Sequence, residues 1–176
     1  MIVVRRARPA DAAAIGAVHV AAWRSTYPGI LPDSYLARMS ATRKAREYEA
    51  AIAGGASVIV AAPETGAPRI VGFTTAGPAR VRGIGDGEID TLYVLDDWRD
   101  QGIGRRLLRA AAKDLAGRGC TSAFLWVLRD NPSRFFYQHL GGQPAMQGES
   151  HVAGVAVPQL AYCWDPIDRL LAASPA

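Results

Sequence analysis

The hydrophobic and polar positions of this chain follow two kinds of pattern. Short, nearly continuous apolar runs are typical of strands, whereas apolar residues that recur every three to four positions are typical of amphipathic helices. Runs of the first kind predict strands at residues 2–6, 57–62, 70–76, 88–94 and 122–128. The last run is apolar almost throughout, as expected for a strand covered on both faces.

Helical spacing occupies most of the intervals between these runs. An alanine-rich helix opens at residues 9–11 and ends before the break at Tyr27-Pro28-Gly29. A second helical region starts near residue 32 and runs to residue 52, with an interruption indicated around Ser40. Further helices are predicted at residues 104–117 and 132–140, each followed by glycines that can end a helix.

The other segments complete an alternating order of strands and helices. The sequence predicts a Pro/Gly loop at residues 63–69 between two hairpin strands, and a ragged loop at residues 77–87 that leads into the strand at 88–94. The final hairpin is predicted at residues 151–164. The resulting order is β-α-α-β-β-β-α-β-α-β-β, which indicates an α/β fold.

Composition narrows the class of protein. At 176 residues the chain is long enough for one domain that buries roughly 70% of its unfolded surface. Its formal net charge of +4 comes from scattered arginines without a basic run, so we expect no nucleic-acid partner. Cys120 and Cys163 lack metal-ligand spacing, and no metal is expected. The absence of a signal-peptide pattern and of a long apolar span predicts a cytoplasmic protein with no membrane partner.

The most informative stretch is E-I-D-T-L-Y-V-L-D-D-W-R-D-Q-G-I-G-R-R at residues 88–106. Gly102 and Gly104 at a helix start leave backbone N–H groups unpaired and allow close approach of a ligand, as in pyrophosphate sites. Arg105 and Arg106 face the positive end of the helix dipole, which is favourable only when an anion binds there. On their own, the glycines also fit a simple tight turn.

Two segments resemble motifs of the GCN5-related N-acetyltransferase (GNAT) superfamily. R-D-Q-G-I-G at residues 99–104 resembles its Q/R-x-x-G-x-G/A pyrophosphate loop, and N-P-S-R-F-F-Y-Q-H-L-G-G at residues 131–142 resembles its later asparagine-to-tyrosine motif. The step from Asn131 to Tyr137 is six residues, where many members have seven. The resemblance runs from Ile2 to Trp164, which implies one domain over residues 1–165 and a tail at 166–176.

The resemblance implies a GNAT-type mixed central sheet, splayed at the acyl-CoA site between the strands at 88–94 and 122–128 and flanked by about four helices. It implies acetyl-CoA as co-substrate, whose pantetheine arm pairs with the strand backbone. The residues it assigns to acetyl-CoA are Leu92, Tyr93, Val94, Arg99, Asp100, Gln101, Gly102, Ile103, Gly104, Arg105 and Asn131. For Asn131, a helix-capping role before Pro132 stays open beside that of holding pantetheine amides.

Acetyl transfer to an amine requires a base, an oxyanion donor and an acid for the leaving thiolate. Glu88, fourteen residues before Gly102, is the candidate base, and Asp90 lies on the same face of a regular strand. The two acids could equally recognise a cationic substrate without moving protons. Tyr137 is the candidate acid, because a phenol stays protonated at neutral pH. A backbone N–H near Leu92 to Val94 is the expected oxyanion donor if the strand bulges there.

For the acceptor, Trp23, Tyr27 and Trp126 are candidates for an aromatic wall, with Asp90 attracting a cation, although the three aromatics fit helix-face and core positions equally well. The expected function is direct transfer of acetyl to a small primary amine in a ternary complex. A protein N-terminus or lysine is the competing acceptor class, and a non-catalytic acyl-CoA sensor is the competing kind of protein. In such folds the final strands often pair across a homodimer, which the sequence leaves open.

Overall fold

The computed structural model describes residues 1–65 and 69–174 and contains seven strands and six helices in that part of the chain. The strands are β1 Ile2–Arg6, β2 Ser57–Pro63, β3 Gly72–Pro78, β4 Gly87–Val94, β5 Ala123–Leu128, β6 Gln143–Val152 and β7 Val155–Trp164. The helices are α1 Ala12–Thr26, α2 Asp33–Arg38, α3 Ala41–Ala53, α4 Ile103–Gly117, α5 Arg134–His139 and α6 Asp168–Ala173. Short 3-10 turns precede α1 and α4 at Pro9–Asp11 and Asp96–Trp98.

All seven strands form one mixed sheet in the order β1-β2-β3-β4-β5-β7-β6. β4 and β5 are its one parallel pair among the described strands, and they are paired only at Gly87–Ala123 and Glu88–Phe124. Beyond Glu88 the two strands diverge. The predicted GNAT-type mixed sheet with a splay between these strands is therefore confirmed.

Helices cover both faces of the sheet. On one face α4 packs Leu108, Ala111 and Leu115 into a core that includes Ile89 of β4 and extends to α6. On the other face α1 contributes Ile15 to a second core with β2 and β3. The residues of α4 that are buried recur every three to four positions, so the apolar stripe of its sequence is the face that packs on the sheet.

The structure has six helices in its described part rather than about four. The predicted second helical region is two helices, because Met39 and Ser40 adopt extended backbone and the Ser40 hydroxyl accepts a hydrogen bond from Arg43 N (3.2 Å) at the start of α3. Within residues 166–174, to which the sequence assigned no element, α6 packs on α4. Arg109 holds its end by donating to the carbonyls of Leu171 and Ser174, both at 2.7 Å.

The predicted final hairpin was wrong in its first strand. β6 begins at Gln143, well before residue 151, and the turn between β6 and β7 falls at residues 153–154. β3 likewise runs from Gly72 to Pro78, two residues later than predicted at each end. Of the predicted hairpin loop at 63–69, residues 66–68 lie outside the described residues, as do residues 175–176 of the tail.

β4 contains a bulge at Asp90. Thr75 pairs with Thr91 and Ala76 pairs with Ile89, so Asp90 has no partner on β3. An extra residue of this kind shifts the alternation of the strand, so Glu88 and Asp90 do not lie on a regular strand as predicted. The bulge is also two residues before the segment where it was expected, Leu92 to Val94.

The loop between β3 and β4 is fixed by Asp86. Its carboxylate accepts hydrogen bonds from the backbone N–H and the hydroxyl of both Thr121 and Ser122, at 2.8–2.9 Å. The Thr121 N–H contributes most to holding the pKa of Asp86 well below its ordinary value, and the Ser122 N–H adds to it. This clamp ties the loop to the start of β5.

None of the helices in residues 1–65 and 69–174 is both long and apolar enough to cross a bilayer.

Candidate active site

A cavity of about 950 Å³ follows β4 along the splay; we call it the β4–β5 cavity. Its lining includes every residue of β4 from Glu88 to Val94 and, across the gap, residues 126–128 of β5. One end reaches the start of α4 at Gly102 and is called the loop end. The other end, called the acidic end, is formed by Arg80, Glu88 and Asp90.

The loop end is shaped to bind an anion. Asp100 and Gly102 both have left-handed backbone, with φ of +57° and +75°, and Gly102 is the N-cap of α4. Such a turn directs successive N–H groups into one concavity in front of a helix dipole. Arg105 adds a buried Nε that has no hydrogen-bond partner among the described residues. An unpaired buried donor beside a helix N-terminus fits the pyrophosphate of acetyl-CoA.

Arg99 and Gly104 complete the loop end. Arg99 pairs with Asp96 at 2.8 Å and donates to Thr26 Oγ1 at 3.2 Å, which ties the loop to the end of α1. A Cβ added to Gly104 would lie 3.4 Å from the Phe136 ring, so α4 and α5 approach closely there. Ile103 is buried beneath the loop.

The middle of the β4–β5 cavity exposes strand backbone. Leu95 donates its N–H to Val71 O on the β3 side of β4 (2.9 Å). Because backbone groups alternate between the two edges of a strand, Leu92 and Val94 direct theirs toward β5. Among the described residues no strand pairs with that edge beyond Glu88. Gly87, which precedes the bulge at Asp90, donates its N–H to Ser122 O on the β5 side. In a regular strand Leu92 and Val94 would then direct their backbone groups toward β3, and the extra residue at Asp90 turns them toward β5.

Tyr137 and Asn131 line the same stretch of the cavity, so the six-residue step between them brings both to it. Burial, and then the neighbouring Tyr27, raises the pKa of the Tyr137 hydroxyl well above its ordinary value, and it stays protonated at neutral pH. Asn131 Oδ1 accepts a hydrogen bond from Ser133 N (2.9 Å), and its amide donates to the Tyr27 hydroxyl (3.5 Å). Asn131 thus caps the turn before α5 while its amide faces the cavity.

At the acidic end, one arginine binds both candidate acids. Arg80 donates Nη2 to Glu88 Oε1 at 2.7 Å, and its Nε and backbone N–H to Glu88 Oε2 at 3.2 and 3.0 Å. The same Nη2 contacts Asp90. The Glu88 side chain is 5% exposed, whereas that of Arg80 is 66% exposed. Burial alone would raise the pKa of Glu88, but the hydrogen bonds from Arg80 outweigh it and the pKa is below its ordinary value.

Aromatic side chains line the cavity on the α1 side and on the β5 side. The Trp23 and Tyr27 rings meet edge to face at 4.9 Å on the α1 side. Trp126 of β5 lies against Gly148 of β6, where an added Cβ would come within 3.1 Å of the indole. The β6–β7 hairpin, whose start the sequence analysis misplaced, thereby supports one wall of the cavity.

Three side chains that could have been catalytic, those of His19, Cys120 and Cys163, lie outside the lining of this cavity. His19 packs between Trp23 and Tyr48 with its Nδ1 2.8 Å from the Tyr48 hydroxyl; burial, with Lys44, lowers its pKa to about 4, and it stays neutral at neutral pH. Burial raises the pKa of both the Cys120 and Cys163 thiols, which disfavours the reactive thiolate.

The structure brings together almost all of the residues that the sequence indicated. Each of them lines the β4–β5 cavity except two: the Gln101 amide donates instead to Asp97 O (3.2 Å), and the Arg106 guanidinium donates instead to Ile2 O (2.9 Å). Arg80 was missed, although it contacts both candidate acids. In the sequence, Arg80 is marked only by being a cationic residue in the loop that precedes Glu88. Ser150, Val152 and Gln159 of the final hairpin also line the cavity.

Comparison with known proteins agrees with this geometry. The model of the acetyltransferase (GNAT) family matches residues 20–141. YuaI, an uncharacterised N-acetyltransferase of Bacillus subtilis (strain 168), is 34% identical over 171 residues, covering 97% of this chain and 96% of the relative. The chain therefore belongs to the GNAT family, whose members are acetyl-CoA-dependent acyltransferases, and it is an enzyme of that class.

Solved structures share the fold. A GCN5-related N-acetyltransferase of Rhodopseudomonas palustris superposes with a TM-score of 0.70 at 22% identity, covering 93% of this chain and 94% of the other. The PaiA N-acetyltransferase of Thermoplasma acidophilum, determined in complex with coenzyme A, superposes with a TM-score of 0.65 at 19% identity, covering 91% and 98%. At these identities the likeness concerns the fold alone.

Proposed function

We propose that this protein transfers the acetyl group of acetyl-CoA to the primary amine of a small molecule, by direct attack in a ternary complex. The observation that carries the proposal is the β4–β5 cavity itself. It joins an anion-binding loop, a free strand edge, a protonated tyrosine and an acidic end along one strand. These are the groups that amine acetylation requires, in an order that matches an elongated thioester followed by an amine.

The residues of this chain fit acetyl-CoA, which supplies the activated acetyl thioester. The left-handed turn at Asp100 and Gly102, the start of α4 and Arg105 would hold the pyrophosphate. The β5-side backbone of Leu92 and Val94 would pair with the pantetheine arm, and the Asn131 amide would add a hydrogen bond. A backbone N–H of this edge would also stabilise the oxyanion.

The acidic end binds the amine. Arg80, Glu88 and Asp90 together carry one net negative charge, which favours a cation. Because the pKa of Glu88 is lowered, it is ionised at neutral pH and is a weak base toward a free ammonium. We therefore assign Glu88 and Asp90 first to holding and orienting the amine. A bound ammonium has no lone pair, so it first loses one proton to water. Glu88 receives the second proton, directly or through water, as the neutral amine attacks the thioester carbonyl and becomes acylated.

Tyr137 donates the proton that the thiolate leaving group takes up. Its pKa, raised by burial, keeps the hydroxyl protonated throughout the neutral range. Direct transfer is favoured over an acyl-enzyme because both described cysteines lie outside the cavity and are buried or partly buried thiols of raised pKa.

A small amine fits the acceptor region better than a protein segment. Trp23 and Tyr27 line it on the α1 side, and Trp126 with the β6–β7 hairpin lines it on the other, which leaves a bounded space rather than an extended groove. Aromatic walls also stabilise cations and apolar substituents. A protein N-terminus or lysine would need an open groove, and it remains the competing acceptor class.

The test is thiol release from acetyl-CoA with a panel of short primary amines, each matched by its tertiary analogue. We expect release that depends on the primary amine, an acetylated product by mass spectrometry, and none from the tertiary partner. Peptides with a free N-terminus or lysine are measured alongside. Peptide turnover above that of every small amine would reassign the acceptor. Acetyl-CoA binding without release for any acceptor would instead identify a sensor.

A further inference from the structure

A second cavity adjoins the acidic end of the β4–β5 cavity. It has a volume of about 260 Å³ and lies between α3, the start of β2 and the end of β3; we call it the α3 cavity. Arg80, Glu88, Asp90 and Thr91 line both cavities. The two spaces therefore meet at the ion-paired cluster and at the stretch of β4 that carries Glu88, Asp90 and Thr91. A ligand held at the acidic end has a second space next to it.

The chemistry of the α3 cavity differs from that of the acidic end. Apart from the three charged residues that it shares with the β4–β5 cavity, the described residues that line it carry no formal charge. Of its polar side chains, the Tyr48 hydroxyl is paired with His19 at 2.8 Å and the Thr75 and Thr91 hydroxyls with each other at 2.8 Å, whereas the buried Ser57 Oγ has no hydrogen-bond partner among the described residues. What is left for a ligand is mainly the surface of small and apolar side chains such as Ala51 and Val58.

We propose that the α3 cavity is a subsite for the part of the acceptor remote from its amine, an uncharged aliphatic segment. This inference rests on the proposed function. The amine stays beside Glu88 and Asp90, and the chain extends past Arg80 into the space under α3. The acceptor class that fits is a primary amine with an apolar tail. A compact polycation does not fit, because its second charge would lose hydration among apolar groups and polar groups that are mostly paired, with no carboxylate beyond Glu88 and Asp90 among the described lining residues.

Gly77 offers a direct way to fill this cavity. It lines the α3 cavity and pairs with Glu88 on β4, so a side chain at position 77 shares a face with that of Glu88. A Cβ added there meets no atom within 4 Å, and a β-branched residue suits a strand. Gly117, exposed on α4, is equally open and serves as the matched control.

The experiment uses primary n-alkylamines from methylamine to hexylamine with the full chain. Acetyl transfer is followed by thiol release, and amine binding to the CoA-saturated protein is followed by calorimetry. In wild type, each methylene that enters the α3 cavity should raise kcat/KM by up to about four-fold, the value of burying one CH₂. Gly77→Val should abolish this chain-length dependence relative to its own methylamine rate. Gly77→Ala should weaken it, and Gly117→Val should keep it.

The outcomes separate this inference from the proposed function. A wild-type rate independent of chain length, the same dependence in Gly77→Val, or no binding of any alkylamine overturns the subsite. Transfer to other primary amines would in those cases leave the proposed function standing. Chain-length-dependent binding that Gly77→Val removes supports the subsite even when no acetyl transfer is seen, and that result would count against the transferase alone.

Discussion

The electrostatics of the acidic end depend on a single guanidinium. Glu88 is almost fully buried, and Arg80 supplies every hydrogen bond that the structure shows to its carboxylate. Replacing Arg80 by an apolar residue other than proline keeps the backbone N–H but removes the side-chain donors. Burial would then decide the protonation of Glu88, since desolvation is the largest single influence on its pKa.

Replacing Arg80 by Met should therefore raise the pKa of Glu88. In wild type that pKa is lowered, so Glu88 stays ionised as the pH falls through the ordinary glutamate range. In Arg80→Met the acidic limb of the profile of kcat/KM against pH should move to higher pH. Arg82→Met, which changes an exposed arginine of the same loop, should leave the limb in place. An unchanged acidic limb in Arg80→Met would mean that Glu88 takes no part in the reaction.

Tyr137→Phe tests the proton donor. It removes the hydroxyl that faces the cavity and should lower kcat/KM by about 10²-fold, the usual contribution of a general acid. The Kd for acetyl-CoA should stay nearly unchanged. The matched variant is Tyr162→Phe. Tyr162 is a buried neighbour that does not line the cavity, and its hydroxyl accepts a hydrogen bond from the Gln138 amide at 2.9 Å. Equal losses in the two variants would mean that the effect is structural.

Sequence reasoning indicated most of the site because its residues are in two motifs and one strand, where spacing is informative. Glu88 is on the same strand that leads to Gly102, so its position follows from strand geometry. Arg80 is different. It reaches Glu88 across an irregular loop whose path is set by contacts of Asp86 with Thr121 and Ser122, far along the chain. No local pattern encodes that path.

At the level of elements, α1 and α3 pack unusually closely. A Cβ at Gly16 would lie 2.5 Å from Ala41 O and 2.6 Å from Ala45 N, both backbone atoms that cannot rotate away. Gly16→Ala should therefore push the helices apart and destabilise the fold by about 1–3 kcal/mol, which lowers Tm by roughly 2–4 °C per kcal/mol. Gly117→Ala, the same change at an open helical position, should leave Tm unchanged or slightly higher. Thermal unfolding of both variants decides; equal Tm values would contradict the close crossing.

The Asp86 clamp gives a pH-dependent prediction. Its folded pKa is lowered, so its contribution to stability is present above the ordinary aspartate pKa of about 3.9 and is lost as the pH falls below that value. Asp86→Ala should lower Tm at pH 7, and the difference from wild type should shrink as the pH approaches the acid range. Asp97→Ala, at an exposed carboxylate, should show little difference at any pH. If the difference in Tm between Asp86→Ala and wild type stayed constant with pH, the Asp86 carboxylate would not be the source of the stabilisation.

Elements with one buried face were predictable, and those without one were not. α4 buries a regular stripe and was predicted to within a residue at its start. β6 is exposed over most of its length, so no hydrophobic alternation marked it. α6 is a six-residue helix, too short for a periodic pattern, and depends on packing of Leu170 against α4. The bulge at Asp90 is a matter of pairing register, which composition does not specify.

At the scale of the whole molecule, the sheet consists of two segments that are joined at one end. In the part of the chain that the structure describes, the segment β1 to β4 pairs with the segment β5 to β7 only through Gly87 and Glu88, and the gap that opens beyond them is the β4–β5 cavity. The cavity is thus a property of the topology, and a ligand in it contacts both segments. Binding to the folded state alone raises Tm as ligand is added.

The most direct test of this account is a calorimetric titration of acetyl-CoA into wild type, Gly102→Val and Gly117→Val. We expect one site in wild type and the same affinity in Gly117→Val. Gly102→Val should bind about ten-fold or more weakly, because a β-branched residue is strained at a φ of +75° by about 1–3 kcal/mol and displaces the loop N–H groups. No binding by folded wild type, or equal binding by Gly102→Val, would contradict the assignment of the loop to acetyl-CoA.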